Sequence, residues 1–385
     1  MQSPAPPIQP PIPPPVTPTV SLPNQTPEIP RNKSTILIVM ALVLLFILGA
    51  LALTFLYIVP RRNTTKLINE LTGQSVKQDY ISVRREKLIN KQTGCPHCNS
   101  LKYYRYGKDK GSIRFMCKEC KRTFTEYSGT WLAGIHKKGL VNDYLDLMHE
   151  QKSLDKIKTA LHINKKTAFD WRHKILSSFQ EIEKQDFNGI IESDETFFLQ
   201  SDKGNRHLKH KGRKRGGTSS TRGISGDQVA VIVTADRKGT MDLTVATMGR
   251  IEKKDIQNAI GSRISKGSIL CTDGHVSYKG FAKDTNLNQI VLRADLKQHV
   301  KQGIYHIQNV NSLHNRVKKW IDSTFWGVST KYLQNYMNWF RIEQVFRKSI
   351  CAEQDMIDCS TEDMLTLPRY RQINIRYQML IATQT

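Results

Sequence analysis

The stretch Ile190-Ile-Glu-Ser-Asp-Glu-Thr-Phe-Phe-Leu199 decides the fold. From Gly189 the pattern turns to strands: Ile190–Leu199, then Gln228–Ala235 with Val229, Val231 and Val233 alternating, then Met241–Met248. Beyond them helical and strand patterns take turns. A helix is expected over Lys253–Ile264, a short strand over Ser268–Thr272, a loop or helix through Tyr278 and Phe281, a strand over Gln289–Leu292 and a helix from about His306 to Ile321. Three strands followed by alternating helices and strands make an α/β plan.

Two acidic residues stand out in that plan, Asp194 on the first strand and Asp273 in Thr-Asp-Gly-His after a later one. Parallel pairing of the two strands could bring both carboxylates to one edge. Hard oxygen ligands of this kind suit magnesium or manganese, and two ions held by shared carboxylates serve an in-line displacement at phosphorus. Taken alone, the same residues also fit a solvent-facing strand position and an ordinary Asp-Gly turn. The helix His306–Trp320 adds Asn311 and Lys318 two turns apart on one face, where a third oxygen ligand and a phosphate-binding lysine would fit. His275, His306 and His314 lie beside these motifs and could orient a phosphate or water, with packed or surface histidines as the default. Trp320, Phe325, Trp326 and Trp339 follow helical spacing and are assigned to the core.

Upstream, Cys95-Pro-His-Cys98 and Cys117-Lys-Glu-Cys120 are two equally spaced pairs across a basic loop. Four soft thiolates with no open position make a structural zinc site of the ribbon type, over about 93–127. Lys102, Tyr103, Tyr104, Arg105, Arg114 and Phe115 between the pairs could form a basic, aromatic strand surface. His97 reads as a surface residue, and Cys271, Cys351 and Cys359 have no paired spacing and are given no role.

Residues 1–34 are Pro-rich and almost uncharged, a composition that favours a disordered tail. Thr35–Val59 is an uncharged apolar run, long enough for a single transmembrane helix, bracketed by Arg31 and Lys33 before it and Arg61 and Arg62 after it. With Lys66, the positive charge is richer on the C-terminal side, which places the bulk of the chain in the cytoplasm. Residues 60–92 read as a basic linker with weak helical periodicity.

The formal net charge of +24 points to a polyanionic partner, nucleic acid or an anionic membrane surface. Basic residues are densest at Lys209, Lys211, Arg213, Lys214 and Arg215, in a Gly-rich stretch suited to holding backbone phosphates. Within 137–182, Leu154, Ile157 and Leu161 fall at helical spacing, a polar break follows at His162–Asn164, and a second helix begins with Lys165, Lys166 and Thr167. The pair fits a helix-turn-helix, with Arg172, His173 and Lys174 on the polar side of the second helix, and equally an ordinary helical hairpin.

At this point the chain resembles the zinc-ribbon insertion-sequence transposases. The matching stretches are the ribbon through Arg122-Thr-Phe-Thr, Ser128-Gly-Thr, Leu132-Ala-Gly-Ile-His-Lys-Lys, Thr167–Leu176, Asp194-Glu-Thr, Thr272–Tyr278, Val310-Asn-Ser-Leu-His314, and Gly327–Leu333 with Tyr336 and Trp339. They run in order from about Cys95 to Phe340. The resemblance implies an RNase H-like catalytic domain over 187–340 with a DDE-type triad, preceded by the ribbon and a helical DNA-binding region. Residue by residue it implies Asp194 and Asp273 as metal ligands, Asn311 at the third triad position and Lys318 as the basic residue seven positions on. Many such enzymes carry Glu where this chain has Asn311, and a branch of the family carries Asn. An amide oxygen adds no charge, so another carboxylate is wanted. Alternation puts Glu192 on the same strand face as Asp194 and turns Glu195 away, so Glu192 is the leading candidate for that help.

The expected function is that of a DNA transposase, with structural zinc and catalytic magnesium or manganese. Its expected partners are double-stranded DNA, as element terminal repeats and target, and further copies of itself on that DNA. The alternative is a catalytically inactive, membrane-tethered DNA-binding regulator descended from such an enzyme. The N-terminal segment is either a genuine membrane anchor or a fusion or mis-set start on a protein of the cytoplasm and nucleoid. Residues 341–385 carry no interpretable motif.

Overall fold

The computed structural model describes residues 80–182, 184–208, 217, 219, 222–347, 360 and 366–384. The Pro-rich tail, the apolar run 35–59, the linker up to 79, and Lys209, Lys211, Arg213, Lys214 and Arg215 lie outside them. Among the described residues no helix is long and apolar enough to cross a membrane.

Within the 60–92 linker the first described element is a helix, α1 (Tyr80–Ile89). Its buried Leu88 packs with Tyr103, Phe115 and Phe124 in the small core of an antiparallel sheet, β1 (Tyr103–Asp109), β2 (Ser112–Cys117) and β3 (Thr123–Phe124). Arg84 and Arg85 pin the helix to the Glu126 segment, Arg85 through a 2.8 Å ion pair.

Helices α2 (Val141–His149), α3 (Leu154–Leu161) and α4 (Lys165–Ser178) follow. Ser153 caps α3 by accepting from the Lys156 N–H, and His162 ends it in the left-handed conformation. Asn164 then caps α4 by accepting from the Thr167 N–H at 2.7 Å.

The second sheet contains β4 (Ile190–Leu199), β5 (Gln228–Asp236), β6 (Met241–Met248), β7 (Ile269–Thr272) and β8 (Asn288–Val291) in the order β6-β5-β4-β7-β8. β4, β5 and β6 pair antiparallel, whereas β7 and β8 run parallel to β4, with Glu192 opposite Cys271. Crossovers through α5 (Lys253–Ile260) and α6 (Val276–Asp284) make the parallel pairings possible. The expected helix to Ile264 is α-helical to Ile260 and continues as a 3-10 turn over Gly261–Arg263, after which residues 263–265 pair with Phe187.

Both faces of this sheet are covered, as the unbroken apolar run of β5 requires. Ala230 and Ile232 pack with Ile256, Tyr278 and Phe281 on one side. Val229, Val231 and Val233 pack on the other with α7 (Gln308–Trp320) and α8 (Leu333–Phe346), in a core that continues into α2, α3 and α4. Trp320, Phe325 and Trp339 join that core as expected, but Trp326 does not: it takes a left-handed turn and stands 63% exposed. The C-terminal segment contains α9 (Thr366–Ile381), which lies on α4 through a Tyr370–Asp170 hydrogen bond (3.0 Å) and meets Gln180 just past it through Arg376 (2.9 Å).

Candidate active site

Asp194 sits in mid-strand on β4, and Asp273 follows the last residue of β7, the parallel neighbour. The Asp273-Gly274 pair is more than a generic turn. Gly274 has φ of +94°, and a Cβ there would come within 2.5 Å of Val291 Cγ1 on β8, so only glycine lets the chain turn so close to the sheet. Asp273 Oδ1 accepts from the His275 N–H at 2.9 Å, while His275 Nδ1 caps α6 by accepting from the Ser277 N–H. His275 thus serves as the helix cap beside Asp273.

The carboxyl groups act on one another. Burial, then the charges of Glu195 and Asp273, push Asp194 up to about 8. Burial and Asp273 push Glu195 up to about 7, and its buried Oε2 has no hydrogen-bond partner. Strand alternation does turn Glu195 from the Asp194 face, yet its charge still works on the same site. A cluster of carboxyls that resist ionisation beside an unsatisfied carboxylate oxygen fits a divalent cation, whose charge would relieve the repulsion.

Helix α7 faces this edge. His314 is buried, with Nδ1 4.0 Å from Asp194 Oδ2 and Nε2 without a partner. Burial, then the nearby Lys318, lowers it to about 4, which keeps the imidazole neutral. Asn311 and Lys318 stand exposed on the same flank of the helix, and Asn311 also borders a 470 Å³ groove with Gln308, Ser312, Asn315, Arg316 and Lys319.

Glu192 shares the α7-covered face with Asp194, as strand alternation suggested, but its contacts are those of a helix anchor. It is buried and accepts from Asn309 N (2.9 Å), Asn309 Nδ2 (2.8 Å) and Val310 N (3.2 Å) at the first turn of α7, while Arg237 Nη1 lies 2.7 Å away. Its oxygens are committed to holding the helix N-terminus, where negative charge is favoured, and are not free for a metal. His306, 3.5 Å from Glu192, belongs to the same anchor. Sequence reasoning missed Glu195 and Arg237. The available signal was the Asp194-Glu195 dipeptide itself.

Residues 186–348 match the family model of the ISXO2-like transposase domain. An uncharacterized protein in transposable element ISH50 of Halobacterium salinarum is 27% identical over 268 residues, covering 66% of this chain and 86% of its own length. Two solved assemblies are also similar. The Mos1 strand transfer complex is 12% identical over 58% of this chain and 77% of that one, with a TM-score of 0.19, and a pre-cleavage Mos1 transpososome is 11% identical over 82% and 96%, with a TM-score of 0.17. Superpositions this loose compare no individual residues. The matched residues run from just before β4 to just past α8.

Ahead of the transposase domain, the Cys95, Cys98, Cys117 and Cys120 sulfurs all lie within 4.8 Å of one another. Each Cys-x-x-Cys turn ends in a left-handed residue, Asn99 and Lys121, and a Cβ on Gly94 would strike the Asn99 carbonyl at 2.4 Å. Although burial opposes it, N–H groups of Cys120 and Glu119 bring the Cys117 thiol down to about 7. Four converging sulfurs, with no fifth ligand among the described residues, fit structural zinc. His97 is exposed and lies against the Thr123 carbonyl, outside the sulfur cluster. Of the expected strand surface, Tyr103 and Phe115 are core residues, whereas Tyr104, Arg105 and Tyr106 are exposed with Arg114 stacked over Tyr106.

The proposed reading face of α4 is largely closed. Arg172 is 2% exposed, donates to the Lys152 carbonyl at 2.6 Å and stacks over Trp339. His173 is fully buried between Phe169 and Tyr332, and that burial, then Arg172, holds it well below its ordinary value. Neither can meet DNA in this arrangement, because α8 occupies that side of the helix. Lys174 is half-buried, which lowers it. Lys165 and Lys166 remain exposed on the first turn, beside Asp155 and Asp170.

Proposed function

We propose that this chain is a metal-dependent DNA transposase that binds the ends of its element, cleaves a phosphodiester and joins the freed 3′-hydroxyl to target DNA. The observation that carries the reading is the parallel pairing of β4 with β7, which puts Asp194 and Asp273 on neighbouring strands within reach of each other's charge, with α7 packed against Asp194 through His314. The sheet order, three antiparallel strands then two parallel ones, supports the RNase H-like assignment.

Magnesium or manganese at Asp194, Asp273 and Asn311 would lower the pKa of the attacking water or hydroxyl and neutralise charge on the phosphate. Asp194 and Asp273 would supply the charged oxygens, and Asn311 would add a neutral one. Glu195 offsets the missing third charge through the field it shares with them. Lys318 would hold a phosphate oxygen, and neutral His314 packs against Asp194. Basic residues of the ribbon, the first turn of α4 and the 209–215 segment would hold backbone phosphates, with steep salt dependence. Cutting two ends calls for at least two copies.

The test is a magnesium-dependent strand-transfer assay with the full chain in detergent on its own inverted repeats, with Asp194→Ala and Asp273→Ala as controls. Joined product that both substitutions abolish is expected. Tight end binding without product from the unaltered chain would overturn the enzyme reading in favour of a DNA-binding regulator, the outcome that Asn311 in place of a carboxylate favours.

A further inference from the structure

Between β8 and α7 the chain makes an excursion, 293–305, that the catalytic reading leaves unused. It leaves the sheet where the Leu292 N–H bonds the Thr272 carbonyl, one residue from Asp273, and returns at His306, beside Glu192. Three large apolar side chains on it face solvent at four-residue intervals: Leu296 (58% exposed), Val300 (43%) and Ile304 (53%). Lys297 and Lys301 follow the first two.

The tip is built rather than loose. Lys301 and Tyr305 exchange two backbone hydrogen bonds of 2.9 Å around Gln302 and Gly303, both at positive φ. Arg237 Nη2 donates to the Ile304 carbonyl at 3.1 Å, and its Nη1 pairs with Glu192, whose other contacts hold the first turn of α7. One guanidinium thus fixes an exposed apolar tip and the helix bearing Asn311 and Lys318 to the same anchor. Apolar side chains held in water on a fixed support mark a contact surface, and their lysine neighbours suit a polyanion. Proteins that kink a duplex use side chains of this kind, Leu and Ile among them, as wedges between base steps.

We infer that the 293–305 excursion is a DNA-deforming wedge, in which Ile304 enters a base step beside the scissile phosphate while Lys297 and Lys301 grip the flanking backbone. The inference rests on the transposase reading and adds to it a distorted substrate. Opening that step would bring the strand to Asp194 and Asp273 without a large movement of the protein.

The probe is a duplex of the element's terminal repeat, read from the DNA beside the gene, with 2-aminopurine placed in turn at each step around the cleavage position. Full-length protein is added in calcium, so that binding is read without cleavage. A severalfold fluorescence rise is expected at one step. Ile304→Ser should abolish that rise while melting at the wild-type temperature. Lys297→Ala with Lys301→Ala should keep the rise and reduce the salt dependence of binding by roughly two phosphate contacts. Cleavage in magnesium with no rise at any step, or an undiminished rise in Ile304→Ser, overturns the wedge alone. So does a change of oligomeric state in DNA-free Leu296→Ser, Val300→Ser or Ile304→Ser protein with the fluorescence unaltered, which would mark an interface between copies. Failure of the wild type both to bind and to cleave its ends removes the transposase reading, and the wedge with it.

Discussion

Replacing Glu192 separates a helix anchor from a metal ligand. Its carboxylate is 1% exposed and accepts three hydrogen bonds from the start of α7 while pairing with Arg237 at 2.7 Å. Glu192→Ala strands two helix N–H groups and a cation at once. Breaking a buried pair by removing one partner is worth about 3–5 kcal/mol. Arg237 is 28% exposed and can turn partly to water, which argues for the lower end of that range. For a domain of this size a loss of about 3 kcal/mol corresponds to a fall of roughly 6–12 °C in melting temperature. Glu192→Gln keeps an acceptor for Asn309 and Val310 but loses the charge opposite Arg237, so it should fall by about half as much. The assay is a thermal melt of each variant with and without manganese, together with manganese binding by electron paramagnetic resonance at a temperature where all are folded. Both variants should bind manganese as the wild type does and lose joining activity because Asn311 and Lys318 are displaced. A Glu192→Gln protein that melts normally but binds manganese tenfold more weakly would refute the anchor and restore Glu192 as a ligand.

Asp194→Asn should stabilise the metal-free protein in a pH-dependent way. Because burial raises Asp194 from 3.8 to about 8, the wild type has its full stability below pH 4 and loses it as pH rises towards 8, so the variant's advantage in a melt should be nil at pH 4 and grow to pH 8. Gly274→Ala should impair folding and joining together, and adding Val291→Ala should relieve the 2.5 Å clash but not the φ of +94°, giving partial recovery of the melting temperature. Arg172→Ala should destabilise by about 3 kcal/mol, because it empties a buried cation site, and leave the salt slope of DNA binding unchanged. Lys165→Ala with Lys166→Ala should do the reverse. Removing zinc with a chelator should open residues 93–127 to trypsin while manganese still raises the melting temperature of the transposase domain.

The sequence made β4 to α7 legible because each element there obeys one period. The ten residues Ile190–Leu199 and the alternating valines of β5 appear as written, and the Cys-x-x-Cys pairs place their own sulfurs. What stayed hidden depends on which neighbour covers a face. Helix α4 has basic and aromatic residues where a DNA-reading helix would, but the pattern carries no mark of α8 and α9, which reach it from more than 150 residues away and turn Arg172 and His173 into core groups. The same blindness misplaced Glu192. Alternation correctly gives a strand residue's face, but not whether a helix N-terminus will arrive there first. Once α7 lands on that face, its unpaired N–H groups and Arg237 claim the nearest carboxylate, and that is Glu192 rather than Asp194 because α7 starts level with Glu192 and only reaches Asp194 at His314, more than a turn later. The offset leaves Asp194 without that anchor, and burial, then the charges of Glu195 and Asp273, push it up to about 8.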